Sequence, residues 1–398
     1  MAVVRHMPGN VNQLSVFELA RAQGAFGEIV TSQLNVSSGW NLAQKINSEL
    51  VDSAVTGAGT ITTASGLGVL ATGAQTNSSA KIASTHLIRY IPGVGAVVRF
   101  TAIFTSGVVG STQIIGAGDE TDGFFFGYNG AAFGVLHRNN GVDTWTSQTS
   151  WNLDEMDGTT SSGMTLDPTK GNVYQIRYQW LGFGAIEFAV ENPASGKFVD
   201  VHRIHYANAN TAPSLTHPTL PCMAEVKNTT NNTSIALKTG SAMGATEGPA
   251  IQEVYDVHHT YETSKASITA EVPLFTLRNS TTYQSVVNKV RIRSDAISLA
   301  TDGTKPVTIQ AYKNPIVTST SAYTDFNALT SVAQINVAST AASSGILAFA
   351  LQMAKADQLF LDLSLFALNM RPGEHLTVTA KSSAAADVFV AFTWMEQF

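Results

Sequence analysis

Residues 91–138 read IPGVGAVVRFTAIFTSGVVGSTQIIGAGDETDGFFFGYNGAAFGVLHR: short apolar runs, each stopped by glycine, with one acidic loop among them. Val98, Phe100, Ala102 and Phe104 form an apolar row, and Val97, Arg99, Thr101 and Ile103 between them are mixed. Side chains of an extended chain alternate between two faces, so this period of two predicts a strand with one face in a core. Phe124, Phe126 and Tyr128 repeat the pattern, and Phe133 and Val135 resume it after Asn129-Gly130. Asn-Gly between two alternating runs predicts a tight hairpin, because both residues tolerate positive φ. The stretch predicts a glycine-punctuated antiparallel β-domain with an aromatic interior.

The same grammar extends outward. Tyr174, Ile176, Tyr178 and Trp180 share one phase, Ile186, Phe188 and Val190 another, and the turn NPASG at 192–196 leads into a further strand. Such a meander, joined to 91–138, predicts one aromatic-filled sandwich. Residues 51–86 are rich in small residues and predict short strands near 60–63, 68–71 and 81–83. Weak strands follow at 223–226 and 234–237, then a glycine-rich connection over 239–249. Beyond a boundary near 262–270, alternation returns at Val290 and Ile292, at Val307, Ile309 and Ala311, and at Leu376, Val378 and Ala380. Val388, Val390, Phe392 and Trp394 run almost to the C-terminus, which predicts that the chain end is tied into a sheet. Residues 1–50 differ. Ser15-Val16-Phe17-Glu18 has capping-box spacing ahead of a short helix, and a second amphipathic piece is predicted over 42–50. The expected fold is mainly β: an N-terminal arm over 1–50, partly helical, for assembly or docking; a central aromatic-rich β-sandwich over 51–262; and a C-terminal β-sandwich or jelly roll over 263–398.

Composition narrows the function. Charged residues make up 13% of the 398-residue chain, about half the usual share of roughly 25%. A net charge of -6 without a Lys/Arg cluster argues against nucleic acid as a main partner. One cysteine, Cys222, excludes an intrachain disulfide and a multi-cysteine zinc site. The N-terminal residues lack a signal-peptide apolar region, and no apolar run is long enough for a membrane-spanning helix. The expectation is a chain made in a cytoplasm, without membrane insertion.

The strongest candidate site is the loop 118–123, in which Asp119, Glu120 and Asp122 lie between glycines. Hard cations take oxygen ligands, so the loop is a weak calcium candidate; a surface turn that favours Asp and Gly is the commoner reading. Trp145 and Trp151 sit near loops, and with Asp119, Glu120 and Asp122 they form the candidate ligand- or sugar-binding set. No catalytic residue is assigned. Glu187 with Asp154, Glu155 or Asp157 would imitate a glycosidase pair. His258 and His259 are adjacent, so on a strand they point to opposite faces and cannot chelate one ion together. Nucleophile-elbow, phosphate-loop and zinc-protease motifs are absent.

The segments RYIPGVGAVVRFTAIFTSG, GDETDGFFFGYNGAAFGVLHR, VYQIRYQWLGFGAIEFAVENPASGKFVDVH and DGTKPVTIQAYKNP together resemble poorly characterised virion structural proteins of tailed phages and large DNA viruses. The resemblance covers most of 85–398. It implies a concanavalin A-like central β-sandwich with a second sandwich after it, in a non-enzymatic capsid, spike or tail-fibre component located in the virion. It also implies self-association, a trimer among the options, contact with other virion proteins, and contact with a host-surface glycan. Glycosidases of the concanavalin A-like fold carry an E-x-D-x-x-E type spacing, which this sequence lacks. The alternatives carried forward are a lectin-like carbohydrate-binding protein and, third, a glycosidase.

Overall fold

Val98, Phe100 and Phe104 point into one core, and Phe124, Phe126 and Tyr128 meet them there from a different sheet. The computed structural model describes residues 33–248, 256–366 and 368–398, and the chain divides into two units, Met1–Ala250 and Ile251–Phe398.

Strands in the first unit are β1 (Leu34–Asn41), β2 (Val51–Thr56), β3 (Thr60–Ala64), β4 (Leu67–Ala71), β5 (Ser78–Ile88), β6 (Ala96–Phe104), β7 (Ser111–Gly118) and β8 (Gly123–Asn129). They continue as β9 (Ala132–Asn139), β10 (Val142–Ser147), β11 (Asn172–Tyr178), β12 (Ile186–Asn192), β13 (Lys197–Ile204), β14 (Leu220–Asn228), β15 (Ala236–Thr239) and β16 (Ser241–Glu247). One antiparallel sheet runs β10-β9-β8-β7-β14-β5-β2. The other runs β13-β12-β11-β6, where β6 pairs onward with both β15 and β16; β15 leads to β4 and β3, and β16 to β1. Between the sheets lies the aromatic layer. Phe126 is fully buried, with its ring centroid 4.8 Å from Tyr174, 5.4 Å from Phe188 and 6.1 Å from Trp151. The expected joining of 91–138 with 173–206 is β6 against β11, with Phe100 opposite Tyr174.

Glycine is required where backbones crowd. A Cβ on Gly127 would stand 1.9 Å from the Gln113 carbonyl oxygen on the neighbouring strand, so no other residue fits there unless the sheet shifts. The β8–β9 hairpin forms as expected, but Asn129 pairs with Ala132, so the turn is Gly130-Ala131. Gly130 alone supplies the positive φ, at +60°.

Four expectations need correction. The stretch 239–249 is not merely a connection: β16 pairs with β6 on one side and β1 on the other. Its sequence, SAMGATE, is short in large apolar residues because strand and sheet pack closely there; a Cβ on Gly244 would meet Ile88 at 2.5 Å. Residues 1–50 are not a separate arm throughout, since β1 belongs to the first sandwich and Trp40 and Leu42 are buried in its core. The piece over 42–50 is irregular with a turn at 48–50 rather than helical, and the capping box at Ser15–Glu18 lies outside the described residues. The boundary is also misplaced, because the strand Asp256–Ile268 runs unbroken through 262 and belongs to the second unit.

That unit is a second β-sandwich. One sheet orders Asp256–Ile268, Ala386–Gln397, Arg291–Thr301 and Gln358–Asp362, with Asn369–Met370 also against Arg291–Thr301. The other orders Thr324–Asp325, Ala333–Asn336, Val272–Asn279, His375–Ser382, Val307–Lys313 and Ile346–Met353. Phe275 and Phe392 meet between them, 5.5 Å apart. The C-terminal strand is tied into a sheet, as expected, between Asp256–Ile268 and Arg291–Thr301, and buried Glu396 fastens it. Its carboxylate accepts hydrogen bonds from the Ser331 hydroxyl (2.5 Å), the Val332 N–H (2.9 Å) and the Trp394 indole (2.9 Å).

Truncating Phe126 removes a ring with four aromatic neighbours and leaves a cavity between the sheets. Phe126→Ala should destabilise the first sandwich by ~3–5 kcal/mol, measured by urea denaturation. A loss under about 1 kcal/mol would mean that the sheets are held elsewhere.

Candidate functional site

The acidic loop does not gather its carboxylates. Asp119 Oδ1 accepts hydrogen bonds from the Thr121 N–H and hydroxyl (both 2.8 Å) and the Asp122 N–H (3.0 Å), so it caps its own turn. Glu120 pairs with Lys81. Burial works against the charge on Glu120, and the hydrogen bond and charge of Lys81 outweigh it, leaving the pKa lowered. Asp122 is fully buried and turned the other way, with Oδ1 accepting from the Thr216 N–H at 2.7 Å. Among the described residues, no three His, Cys, Asp or Glu side chains are grouped to hold a metal. The loop ties neighbours together: Arg138 donates to the Asp119 carbonyl at 2.9 Å, and the Gly141 N–H donates to the Thr121 carbonyl at 2.8 Å.

Nor do the tryptophans join it as a sugar platform. Trp151 is 4% exposed and packs against Phe126 and Phe133 in the core. Trp145 lies opposite Leu136 and packs on a small separate cluster of Ile114, Phe125, Leu136 and Met223. The alternation of Phe124 and Phe126 into the core puts Phe125, and this cluster with it, on the outer face of the seven-stranded sheet. Glu187 is held by Arg177 (2.8 Å) and Arg203 (2.6 Å), with Asp200 on the same Arg177 (2.8 Å). It belongs to an ion-pair network.

A cleft of about 560 Å³ opens beside the β8–β9 turn. Tyr128, Phe133, Met156 and Leu166 form its apolar side, and Gln148, Thr149, Glu155 and Asp157 its polar side. That volume is within the range of small-ligand sites. Asp154, 2% exposed, builds the wall. It accepts from the Met156 N–H (2.8 Å), the Ser162 N–H (2.9 Å) and the Thr160 hydroxyl. These bonds hold Met156 at φ +51°, a conformation that costs a non-glycine residue about 1 kcal/mol or more. Burial raises the Asp154 pKa, and the bonds from Thr160, Ser162 and Met156 outweigh it, so the carboxyl stays below its ordinary value. Gln148 is aimed by donating to the Glu155 carbonyl at 2.8 Å. The Glu155 carboxylate is half-buried and has no hydrogen-bond or ion-pair partner among the described residues. Asp157 accepts from the Thr159 N–H and hydroxyl, which lower its pKa. The charged lining residues are both acidic, so the cleft disfavours anions and offers hydrogen-bond acceptors, one amide and hydroxyls beside aromatic carbon.

The cleft escapes a reading by stretches because the hairpin tip, the end of β10 and the 155–168 loop meet only in three dimensions. One signal was available. Asp119-Glu-Thr121, Asp157-Gly-Thr159 and Asp167-Pro-Thr169 share an Asp-x-Thr pattern, and in each the aspartate accepts from the threonine two residues on. This is turn chemistry, and it accounts for two acidic residues that could be mistaken for ligands.

No family model and no curated protein sequence matches the chain. Similar solved structures include a protein of unknown function from Shewanella oneidensis MR-1, at 9% identity over 62% of this chain and 99% of that one, with a TM-score of 0.37. The CBM2 module of the evolved Dit of Lactobacillus casei BL23 phage J-1 is similar at 9% identity over 55% and 99%, with a TM-score of 0.37. The legume lectin-like domain from Entamoeba histolytica follows at 12% over 49% and 89%, with a TM-score of 0.30. At these identities no residue role carries over.

Two imidazoles, a partly buried His137 and a buried His202, give the first unit a pH dependence. Burial lowers the pKa of His137 below its ordinary 6.5, against the Ser214 carbonyl and Asp122, which raise it. Burial also lowers His202, and His205 adds to the effect. The unfolded chain binds these protons first, so stability is full above pH 6.5 and falls as pH drops through the folded values. Thermal melts between pH 8 and 5 should show this loss, with a shallower slope in a His137→Gln/His202→Gln variant. An unchanged slope would contradict the assignment.

Proposed function

We propose that this chain is a non-enzymatic structural component of a virus particle, of capsid, spike or tail-fibre type, whose first sandwich holds a neutral saccharide of the host surface in the Glu155 cleft. The observation that carries the saccharide part is the lining: an unpaired carboxylate, an oriented amide and hydroxyls on one side, aromatic rings on the other. Sugar hydroxyls donate to carboxylates and pair with amides, while sugar C–H faces pack on aromatic carbon. The viral part is supported by the resemblance of residues 85–398 to virion proteins and by their low charge. The chain also divides into two sandwiches, which the resemblance implies.

Absence of catalysis is supported by the state of the carboxyls. A glycosidase acid needs a raised pKa, whereas Asp157 is lowered by Thr159. Glu225, whose pKa is raised by burial, lies on β14 opposite Ile114 and outside the cleft lining.

Glycan arrays followed by titration calorimetry on the full chain test the proposal. Neutral oligosaccharides should bind, and Glu155→Ala should weaken binding about tenfold, the cost of one hydrogen bond to a charged group. Trp145→Ala should leave it unchanged, and no reducing ends should be released. Retention by Glu155→Ala with loss by Trp145→Ala would move the site to the outer sheet face and overturn the cleft. Absence of the chain from purified particles would favour a free lectin.

A further inference from the structure

The edges of the second sandwich are not alike. Asp256–Ile268 closes one sheet and carries Asp256, His258, Glu262 and Lys265. Gln358–Asp362 bears Asp362, and Thr324–Asp325 is two residues long. Charge and shortness are the usual means of stopping an edge from recruiting another strand. Ile346–Met353, ILAFALQM, has neither: it is eight residues long, without charge or proline. It pairs with Val307–Lys313 on one side, and among the described residues no segment hydrogen-bonds to the backbone of its other side. Its one protective device is a bulge at Ala348, which leaves Phe349–Met353 in regular register. Beside it lies uncovered apolar surface: Ile346 is 55% exposed, Leu347 49% and Ile316 68%.

We propose that Ile346–Met353 is where two copies of this chain join, antiparallel about a two-fold axis, so that their six-stranded sheets become one. This rests on the reading of the chain as a component of a particle and is independent of the cleft. A row of unpaired N–H and C=O groups is satisfied by a strand, which sets the kind of partner. A second copy is favoured by charge and by closure. An uncharged strand facing itself brings no like-charge repulsion and sets apolar residues against apolar ones. A two-fold pairing consumes both open edges and stops, whereas a head-to-tail contact would continue. The arrangement gives even-numbered assemblies and not a trimer.

Light scattering on the size-fractionated full chain tests this. The unmodified protein should have twice its 42.1 kDa chain mass. Leu347→Lys/Ala350→Lys, at two exposed positions, should raise the dimer dissociation constant roughly a hundredfold, with an unchanged Tm where both proteins are dilute enough to be monomers. Thr260→Lys, on the charged edge, should leave the mass doubled. Hydrogen exchange of the unmodified protein gives a second readout: amides in 346–353 should gain protection as concentration rises. A monomer at every concentration, a doubled mass in the lysine variant, or concentration-independent exchange would overturn the proposal. Saccharide binding by the lysine variant separates this failure from failure of the cleft.

Discussion

The layer of rings between the two sheets of the first sandwich is the contact on which the rest of that unit depends. Phe126 sits at its middle, and Phe104, Tyr128 and Phe133 extend it toward the cleft, with Tyr128 and Phe133 5.0 Å apart. The cleft's apolar side is thus the end of the core itself, with Tyr128 8% and Phe133 7% exposed. Trp151 adds the second link. Buried against Phe126, it anchors the start of the segment from which Asp154 shapes the wall. Packing therefore sets the site, because rings held in place need no reordering when a ligand arrives.

Acidic residues do structural work here more often than the sequence suggests. Asp119, Asp157 and Asp167 cap turns, Asp154 and Asp122 hold loops from inside, and Glu396 fastens the last strand. A chain poor in charge spends many of its carboxylates on backbone N–H groups, where a charged acceptor gives a stronger bond than a neutral one. What remains unsatisfied stands out, and Glu155 is such a group.

Much of the fold was legible because alternation is local. Phe124 and Phe126 facing the core with Phe125 facing away follows from the period of two, as does the C-terminal strand. What escaped depends on distant partners. β16 reads as a connection because it is short in large apolar residues, and its strand character rests on pairing with β6 and β1, more than a hundred positions upstream. The strand Asp256–Ile268 reads as a boundary because its pattern is polar along much of its length, and only its pairing with Ala386–Gln397 makes it an edge strand of the second unit. Trp151 joins the candidate set on its loop position, yet a residue at the start of a loop can return to the core, as this one does. The five candidate residues scattered for the same reason: nearness in sequence around turns does not put side chains in one cleft.

The central claim is that the Glu155 cleft is a saccharide site. A crystal structure with the tightest-binding neutral oligosaccharide tests it most directly. The account predicts a sugar ring against Tyr128 and Phe133, with hydroxyls on Glu155 and Gln148. Sugar bound instead at Asp119–Asp122, or on Trp145 across the outer sheet face, would contradict it.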